Sequence, residues 1–309
     1  MKIGLGAGPL SGGPADLRGQ VDAVVKAEED GFASVWFNSS NSADPLTIIA
    51  LAGARTSRIE LVTGVLPIYS RQPLLMAQQA LSANEATGGR FTLGIGLAHP
   101  ESVPLMWNSP FDRPAKFMGE YLDALMPLLE EKQVQAAGEM IITEASLNFP
   151  DTPAPGVMLA ALGPLMLRLA GRRTRGTILW VTGTKAIRSH IAPRLREAAA
   201  EAGRAAPRIY TALPITVTDD RDAAREATGK QLRSYGRLVN YRRVLDIEGA
   251  AGPEDVAVIG NETEVEAQLR ELADAGATDF AAAITTVARD DTETVPRTRA
   301  LLKSLIGKI

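Results

Sequence analysis

The chain has 309 residues, of which 45% are hydrophobic and 22% are charged, and its formal net charge is −3 at pH 7. This composition is typical of a globular enzyme with a core large enough to fold without disulfides. The sequence contains no cysteine and only two histidines, His99 and His190. Disulfides, thiolate metal sites, a cysteine nucleophile and a multi-histidine metal centre are therefore excluded. The negative net charge argues against a general nucleic-acid-binding protein.

The first residues indicate where the protein works. Met1 leads directly into an apolar, strand-like run, which does not resemble a signal peptide. No apolar run reaches the roughly 18 residues that a membrane span requires. We therefore expect a cytoplasmic protein that acts on a small-molecule substrate and binds neither a membrane nor nucleic acid.

Apolar runs and helical patterns alternate through the first half of the chain. Local signals mark their ends: Gly31 and Gly88 follow predicted helices, and Asp44 with Pro45 is an N-cap followed by a proline in the first turn. In chain order we predict strand 2–5, a Gly/Pro-rich loop at 6–14, helix 17–30, strand 33–37, helix 45–55, strand 60–66, helix 73–87, strand 91–95 and helix 114–130.

The alternation continues in the second half. After a hairpin that turns at Gly138, each apolar run is again followed by a segment with helical spacing. In chain order we predict strand 157–160, helix 165–172, strand 177–181, helix 185–202, strand 208–217, a helical stretch over 222–246, helix 262–275, strand 279–284 and a closing helix from residue 292.

Eight strands with a following helix indicate an α/β fold of the (β/α)8 (TIM) barrel class, with insertion segments, over residues 1–309 as one domain. The strands are nearly continuous apolar runs, as expected for a parallel sheet buried on both faces. An open doubly wound sheet would carry G-x-G-x-x-G between its first strand and helix. Gly4, Gly6 and Gly8 alternate, but no helix begins before residue 14, so the sequence does not support that alternative.

In such a barrel the chemistry lies at the carboxyl ends of the strands. Small and polar residues dominate there, and paired acids, a Ser-His-Asp set and metal-ligand spacings are absent, so we predict no metal site. Two interpretations stay open for the glycines: they turn the chain, or they let the backbone approach a flat ligand. The strand-end segments are 6–9, 38–41, 64–71, 96–100, 162–164 and 182–184.

A local charge bias covers the fifth and sixth strands. Residues 152–196 contain no Asp or Glu but eight basic side chains, although the whole chain is acidic. A solvated basic helix face and an anion site at helix N-termini both fit this bias, and a phosphate or polycarboxylate tail would suit the second. The basic residues are Arg168, Arg172, Arg173, Arg175, Lys185, Arg188, Arg194 and Arg196.

Four segments resemble the luciferase-like flavin-dependent oxidoreductases, and within them the class that uses coenzyme F420. They read LVTGVLPIYSRQP at 61–73, ATGGRFTLGIG at 86–96, VMLAALGPLMLR at 157–168 and VIGNETEVEAQLRELADAGATDF at 258–280. The likeness runs over essentially the whole chain. It implies a homodimer that transfers hydride between the deazaflavin of F420 and a small organic substrate.

The resemblance also implies roles for individual residues. Gly64 and Val65 match a bulge with a non-prolyl cis peptide behind the isoalloxazine ring, so Gly64→Val is expected to weaken coenzyme binding with the fold largely intact. Asn38 and Ser39 match the second-strand end at the ring's edge, and Gly96 to His99 match the fourth-strand loop. The segments that hold the phosphate-bearing side arm are matched by Gly163, Pro164, Thr182, Gly183 and Thr184.

Several points depart from the class or stay open. Sugar-phosphate and alcohol dehydrogenases of this class place an acid and a histidine at the end of strand two, where this chain has Asn38 and Ser39, so neither substrate class is carried over. The basic 171–176 stretch favours a polyglutamate tail.

His99 is the candidate proton donor, with a loop-capping role as the alternative. An apolar substrate pocket is expected to be walled by Tyr69, Trp107 and Trp180, with the barrel interior or helix layer as the alternative position for Trp180. His190 lies on a predicted helix and is expected to be structural. The other interpretations are an FMN enzyme with monooxygenase or reductase chemistry, and a non-catalytic accessory subunit that binds flavin or no ligand.

Overall fold

A computed structural model of the chain describes residues 1–7, 16–38, 43–288 and 290–309. Two predicted strand-end segments fall partly outside these residues: the first from residue 8 onward, and the second at residues 39–41, which include Ser39. The twelve strands are β1 (Lys2–Ala7), β2 (Ser34–Phe37), β3 (Glu60–Thr63), β4 (Leu66–Pro67), β5 (Phe91–Gly96), β6 (Gln133–Ala137), β7 (Ile142–Ser146), β8 (Gly156–Ala160), β9 (Gly176–Trp180), β10 (Arg208–Val217), β11 (Val258–Gly260) and β12 (Asp279–Ile284).

The helices follow the strands as the sequence pattern predicts, with a few differences at their ends. Short 3-10 turns occur at Ile68–Ser70, Tyr235–Arg237 and Pro253–Asp255, and a π-helical segment at Ile187–Ile191. The α-helices are α1 (Leu17–Glu29), α2 (Pro45–Gly53), α3 (Pro73–Ala86), α4 (Val103–Trp107), α5 (Pro114–Glu130), α6 (Pro164–Arg173), α7 (Thr184–Ala186), α8 (Ala192–Glu201), α9 (Arg221–Gln231), α10 (Val239–Glu248), α11 (Glu262–Ala275) and α12 (Thr294–Leu305).

Eight parallel strands close into a barrel, so the predicted TIM-barrel fold is confirmed. The order is β1, β2, β3, β5, β8, β9, β10 and β12, and β12 pairs with β1 to complete the circle. Strand β10 is long enough to pair with β9 through its first half and with the short β11 at its end. The β6–β7 hairpin forms a separate two-stranded sheet outside the barrel.

The prediction of one helical stretch over 222–246 is wrong. Helix α9 ends at Gln231, a 3-10 turn follows at Tyr235–Arg237, and α10 starts at Val239. Gly236 lies in the break, where its backbone freedom disfavours a continuous helix. The break places Tyr235 and the start of α10 close to the carboxyl ends of the strands, as the contacts described below show.

The barrel interior is filled by side chains and closed at its amino end. Side chains from six strands form the interior cluster, which consists of Trp36, Val62, Met158, Ile178, Tyr210, Ala212 and Ala281. Below it, the Tyr210 hydroxyl shares a 2.7 Å hydrogen bond with Ser34. At the amino end Arg208 pairs with Glu60 at 2.8 Å and with Asp279 at 2.7 Å. The amino end is thereby closed, which leaves the carboxyl end for a ligand.

Candidate active site

The break between β3 and β4 shapes the mouth of the barrel. The Gly64–Val65 peptide bond is cis, as expected from the resemblance. The Gly64 N–H donates to the Phe37 carbonyl at 2.7 Å, and the Thr63 hydroxyl both accepts from the Gly94 N–H at 2.8 Å and donates to the Gly94 carbonyl at 2.9 Å. Pairing with β5 resumes at Leu66. Backbone and hydroxyl bonds therefore hold the bulge from both neighbouring strands.

The glycines around this bulge are required by close packing. A Cβ on Gly64 would lie 0.7 Å from Nε1 of Trp36, and one on Gly94 would lie 1.9 Å from the Thr63 carbonyl oxygen. A Cβ on Gly96 would come within 2.8 Å of Cγ2 of Val65. None of the three is among the residues with positive φ. Within the described structure, the space left by each missing Cβ is filled by neighbouring protein atoms. This role differs from both sequence interpretations, which were turning of the chain and approach to a flat ligand.

A chain of aromatic side chains crosses the mouth beside the bulge. Trp36 and Trp180 lie 6.0 Å apart between ring centroids, and Trp180 meets Tyr235 at 6.0 Å with a T-shaped geometry. Tyr235 packs edge-on against Tyr241 at 4.9 Å, and Tyr241 lies 5.9 Å from His99. Two strands, the loop after β5, the 3-10 turn at Tyr235–Arg237 and helix α10 thus contribute to one aromatic cluster, which we call the mouth cluster.

Sequence reasoning placed Trp180 near the substrate but missed Tyr235 and Tyr241. Both lie in the stretch that the sequence predicted as one helix, where their spacing of six residues follows no helical face. Tyr69, also expected to wall the pocket, instead stacks on Phe117 of α5 at 4.8 Å. Burial raises the pKa of Tyr69 to about 12. Tyr69 therefore belongs with the packing of α5.

His99 lies in the loop after β5 and faces the mouth cluster. Its carbonyl accepts from the N–H groups of Ser102 and Val103 at 3.0 Å each, which fixes the start of α4. Its Nδ1 is buried and has no hydrogen-bond partner in the described part of the chain. Burial lowers the pKa of His99, and the nearby Glu101 only partly opposes this. The imidazole is thus neutral at pH 7, with a ring nitrogen still free to bond a ligand.

Two further unpartnered nitrogens lie in the same cluster. One is Nε1 of Trp36, which lies against Gly64, and the other is Nε1 of Trp180. Nε1 of Trp180 is buried, and the described residues offer it no acceptor with hydrogen-bond geometry. Burial raises the pKa of the nearby Tyr235 hydroxyl, and the Trp180 N–H partly opposes this rise. The two groups nevertheless do not have the geometry of a hydrogen bond. Because buried polar atoms are nearly always bonded, His99 Nδ1 and Trp180 Nε1 indicate a polar ligand at the mouth.

The segment after β8, which is the fifth strand of the barrel, opens onto a cavity. Gly163 and Pro164 start α6, and a Cβ on Gly163 would meet nothing within 4 Å. His190 bonds the Leu162 carbonyl at 2.8 Å, which supports the expectation that it is structural. The cavity has a volume of about 460 Å³, and its lining residues are Leu162, Gly163, Pro164, His190, Asn240, Arg243, Asp246 and Ile247.

The segment after β9, which is the sixth strand of the barrel, already binds the carboxylate of Glu248. Thr182 is buried, with its hydroxyl on the Trp180 carbonyl at 3.1 Å, and Gly183 precedes the helix that starts at Thr184. Glu248 accepts from the Lys185 N–H at 3.1 Å and from the Ala186 N–H at 2.8 Å. These are N–H groups of the first helical turn, where an anion is stabilised.

At the end of strand two, Asn38 is exposed at the carboxyl end of the barrel. The other candidate there, Ser39, lies outside the described residues. A larger surface depression of about 650 Å³ lies between α9 and residues 251–254, lined mainly by charged side chains, and includes none of the predicted site residues.

The basic window does not form one site. Helix α6 runs antiparallel to the strands, so Arg172 and Arg173 lie near the amino end of the barrel, where Arg173 pairs with Asp123 at 2.7 Å. Arg175 also lies at that end, packed against Gly156 at the start of β8. Only Lys185 and Arg188 remain at the start of the helix after β9. The expectation that the 171–176 stretch binds a polyglutamate tail is therefore wrong.

Comparisons with known proteins agree with this geometry. The sequence profile described as luciferase-like monooxygenase matches residues 2–292. An F420-dependent glucose-6-phosphate dehydrogenase of Nakamurella multipartita is 30% identical over 273 residues, which covers 82% of this chain and 76% of that protein.

Two solved structures share the fold over nearly the full length. An F420-dependent secondary alcohol dehydrogenase in complex with an F420-acetone adduct has a TM-score of 0.79 at 18% identity and covers 99% of this chain and 98% of its own. The oxygenating constituent of 3,6-diketocamphane monooxygenase from Pseudomonas putida, in complex with FMN, has a TM-score of 0.74 at 18% identity and covers 100% and 98%.

None of the helices in the described ranges is long and apolar enough to cross a membrane. The barrel, the bulge at Gly64–Val65 and the profile match over 291 of the 309 positions (2 through 292) lead to one conclusion. The chain belongs to the luciferase-like monooxygenase family.

Proposed function

We propose that this chain is a coenzyme F420-dependent oxidoreductase, which transfers hydride between the deazaflavin and a small organic substrate. The observation that carries the proposal is two of the three unpartnered buried nitrogens in the aromatic mouth of the barrel, His99 Nδ1 and Trp180 Nε1. A flat heterocycle with polar edges would satisfy both atoms. The 30% identical relative that uses F420 supports the deazaflavin over a flavin.

The ring would bind at the bulge. The backbone of Gly64 and Val65 is braced from β2 and β5 and so presents a rigid surface. His99 stays neutral, so it offers one hydrogen bond without a charge beside the ring. We assign five residues to ring binding: Asn38, Ser39, Gly64, Val65 and Gly96.

The phosphate-bearing side arm would follow strands β8 and β9. Gly183 shows whether an anion fits here. Its φ of −80° suits any residue, so glycine at this position provides space and is not required by the backbone conformation. A Cβ there would meet the Glu248 carboxylate at 2.4 Å. Gly183 and the N–H groups of Lys185 and Ala186 therefore form a cradle that accommodates an anionic group. We assign Gly163, Pro164, Thr182, Gly183 and Thr184 to the side arm.

When bound, the coenzyme would supply the hydride chemistry, and the protein's contribution is position and exclusion of water. Trp180, Tyr235 and Tyr241 make the mouth apolar, which keeps water from the reacting faces. His99 is the residue in place to give or accept a proton at its Nδ1. Orientation of two reactants at contact distance can contribute about 7 kcal/mol or more to lowering a barrier.

One alternative has its own support. The fold is shared with an FMN-bound monooxygenase, and the same cradle would accept the FMN phosphate. An FMN enzyme of this fold would consume oxygen, whereas a deazaflavin reacts poorly with it. A non-catalytic accessory subunit that binds flavin would use the same two nitrogens, whereas one that binds no ligand would need neither.

A tryptophan-quenching titration with F420 and, separately, with FMN tests the proposal. Two of the three tryptophans, Trp36 and Trp180, lie at the mouth, so a ring bound at the bulge should quench most of the emission. Tight F420 and weak FMN binding is expected. Tighter FMN binding would replace the proposal by the FMN enzyme and make oxygen consumption the next assay. Binding of neither would overturn the coenzyme assignment and favour an accessory subunit that binds no coenzyme.

A matched variant ties any binding to the mouth. We expect His99→Ala to weaken F420 binding by about tenfold, because a hydrogen bond to a buried group is lost at a cost near 1.4 kcal/mol. Unchanged affinity in this variant would remove His99 from the site while leaving the coenzyme assignment intact.

A further inference from the structure

The carboxylate of Glu248 occupies the position where the side-arm phosphate is expected. Its two oxygens accept from the N–H groups of Lys185 and Ala186 at 3.1 and 2.8 Å. The same carboxylate fills the space left by the missing Cβ of Gly183. One acidic group from a distant helix thus uses both features that make this segment an anion cradle.

The helix that carries these N–H groups is long enough to hold an anion. It begins at Thr184, passes through the π-helical segment Ile187–Ile191 and continues to Glu201 with right-handed helical angles at each junction. Gly183 at its N-cap has no side chain to bond the first turn. Glu248 supplies the missing acceptor from 62 residues along the chain.

Glu248 is the last residue of α10, and this helix covers both parts of the proposed site. Asn240 and Arg243 of α10 line the cavity at Gly163, while Tyr241 belongs to the mouth cluster. Gly249, with a φ of 80°, ends the helix directly after the glutamate. The Glu248 bond therefore fastens the carboxyl end of a helix that lies over the side-arm cavity and the mouth.

We propose that Glu248 is an internal substitute for the coenzyme phosphate, which latches α10 in the empty protein and leaves the cradle when the side arm binds. This rests on the proposed coenzyme function. A phosphate and the carboxylate cannot share the two N–H donors, since both are anionic and each needs the same atoms. Binding therefore includes breaking the latch, and the apparent affinity is reduced by the fraction of molecules in which the latch is closed.

The test is to compare Glu248→Gln with wild type in titrations with FMN, riboflavin and F420. FMN and riboflavin differ by the phosphate alone, so riboflavin reports any effect that is unrelated to the cradle. Glu197→Gln is the matched control, because it removes the same charge from an exposed position on α8 of the same helix. Melting temperatures verify that each variant is folded.

We expect Glu248→Gln to bind the preferred phosphate-bearing coenzyme about tenfold more tightly, an effect in the range usual for coupled equilibria. Riboflavin affinity and the Glu197→Gln variant should stay at the wild-type values. In a structure of the complex, the Glu248 side chain of the wild type should have left the N–H groups of Lys185 and Ala186.

Other outcomes overturn the latch in distinguishable ways. If Glu248→Gln lowers the melting temperature but binds the coenzyme no better than wild type, Glu248 is only a helix cap and the coenzyme function stands. If riboflavin binding tightens as much as FMN binding, the effect is not exerted on the phosphate. If neither wild type nor variant binds any of the three ligands, the latch and the proposed function fail together.

Discussion

Replacing Gly64 by alanine would place a methyl group inside the indole of Trp36. The added Cβ would lie 0.7 Å from Nε1 and 1.7 Å from Cε2 of the ring. Trp36 is 7% exposed and packs with Val62 and Met158 in the barrel interior, so it cannot turn away without disturbing that core. Over-packing of this kind costs about 1–3 kcal/mol, and the rigid ring places this case near about 3 kcal/mol. At about 2 °C per kcal/mol for a chain of this size, the melting temperature should fall by about 6 °C.

Thermal unfolding followed by circular dichroism measures this effect. Gly119→Ala is the matched control, because a Cβ on this residue of α5 meets nothing within 4 Å. It removes an interior helical glycine and should raise the free energy of unfolding by about 0.5–1 kcal/mol. A Gly64→Ala protein that melts at or above the wild-type temperature would refute the packing argument. The sequence predicts a largely intact fold for Gly64→Val, and the Trp36 contact contradicts that prediction.

Three further predictions concern the site, the acid side of the stability profile and the barrel end. Gly163→Ala should leave the melting temperature unchanged, because the new Cβ meets nothing within 4 Å, but weaken F420 in the quenching titration if the side arm approaches this backbone. Although burial raises it, backbone N–H groups of residues 57–59 hold the pKa of Glu28 at about 2, against an ordinary 4.5. The resulting stability is present above pH 4.5 and lost as the pH falls toward 2, so the melting-temperature gap between wild type and Glu28→Gln should narrow over that range. Arg208→Ala leaves the buried Asp279 without its cation and should cost about 3 kcal/mol in urea unfolding, with Arg208→Lys recovering part of it.

Each of these has an outcome that contradicts it. Unchanged F420 affinity in Gly163→Ala would place the side arm elsewhere. A melting-temperature difference between wild type and Glu28→Gln that stays constant from pH 7 to pH 3 would mean that Glu28 does not accept these backbone hydrogen bonds in solution. An Arg208→Ala protein as stable as wild type would show that the amino end of the barrel tolerates an unpaired Asp279.

Much of the fold could be predicted because its signals are local. Asp44 and Pro45 begin α2 and Gly31 follows α1, as their capping chemistry requires. The alternation of apolar strands and helices is set by side-chain spacing within each segment, and eight such units have a single common closed arrangement. The break at Gly236 was not predicted because a glycine in a charged helical pattern is a weak signal: Gly229 of the same stretch lies inside α9.

The candidate site was predictable only in part. The strand-end positions of Gly64, Gly163 and Gly183 follow from chain order, and the cis bond at Gly64–Val65 agrees with the family resemblance. The position of Arg172 and Arg173 near the amino end of the barrel could also be predicted, because a helix that follows a barrel strand returns to that end. A count of charges along the chain does not contain this direction, and the prediction of a polyglutamate contact at residues 171–176 was therefore wrong.

The sequence alone determined the barrel, the order of its strands and the segments that reach its mouth, because these depend on spacing and capping within each unit. Only the tertiary structure decided which distant side chains meet there. Tyr235 and Tyr241 complete the mouth cluster, and Glu248 of α10 enters the cradle at Gly183, because the chain turns between α9 and α10. Such contacts depend on long-range packing, which no local pattern records.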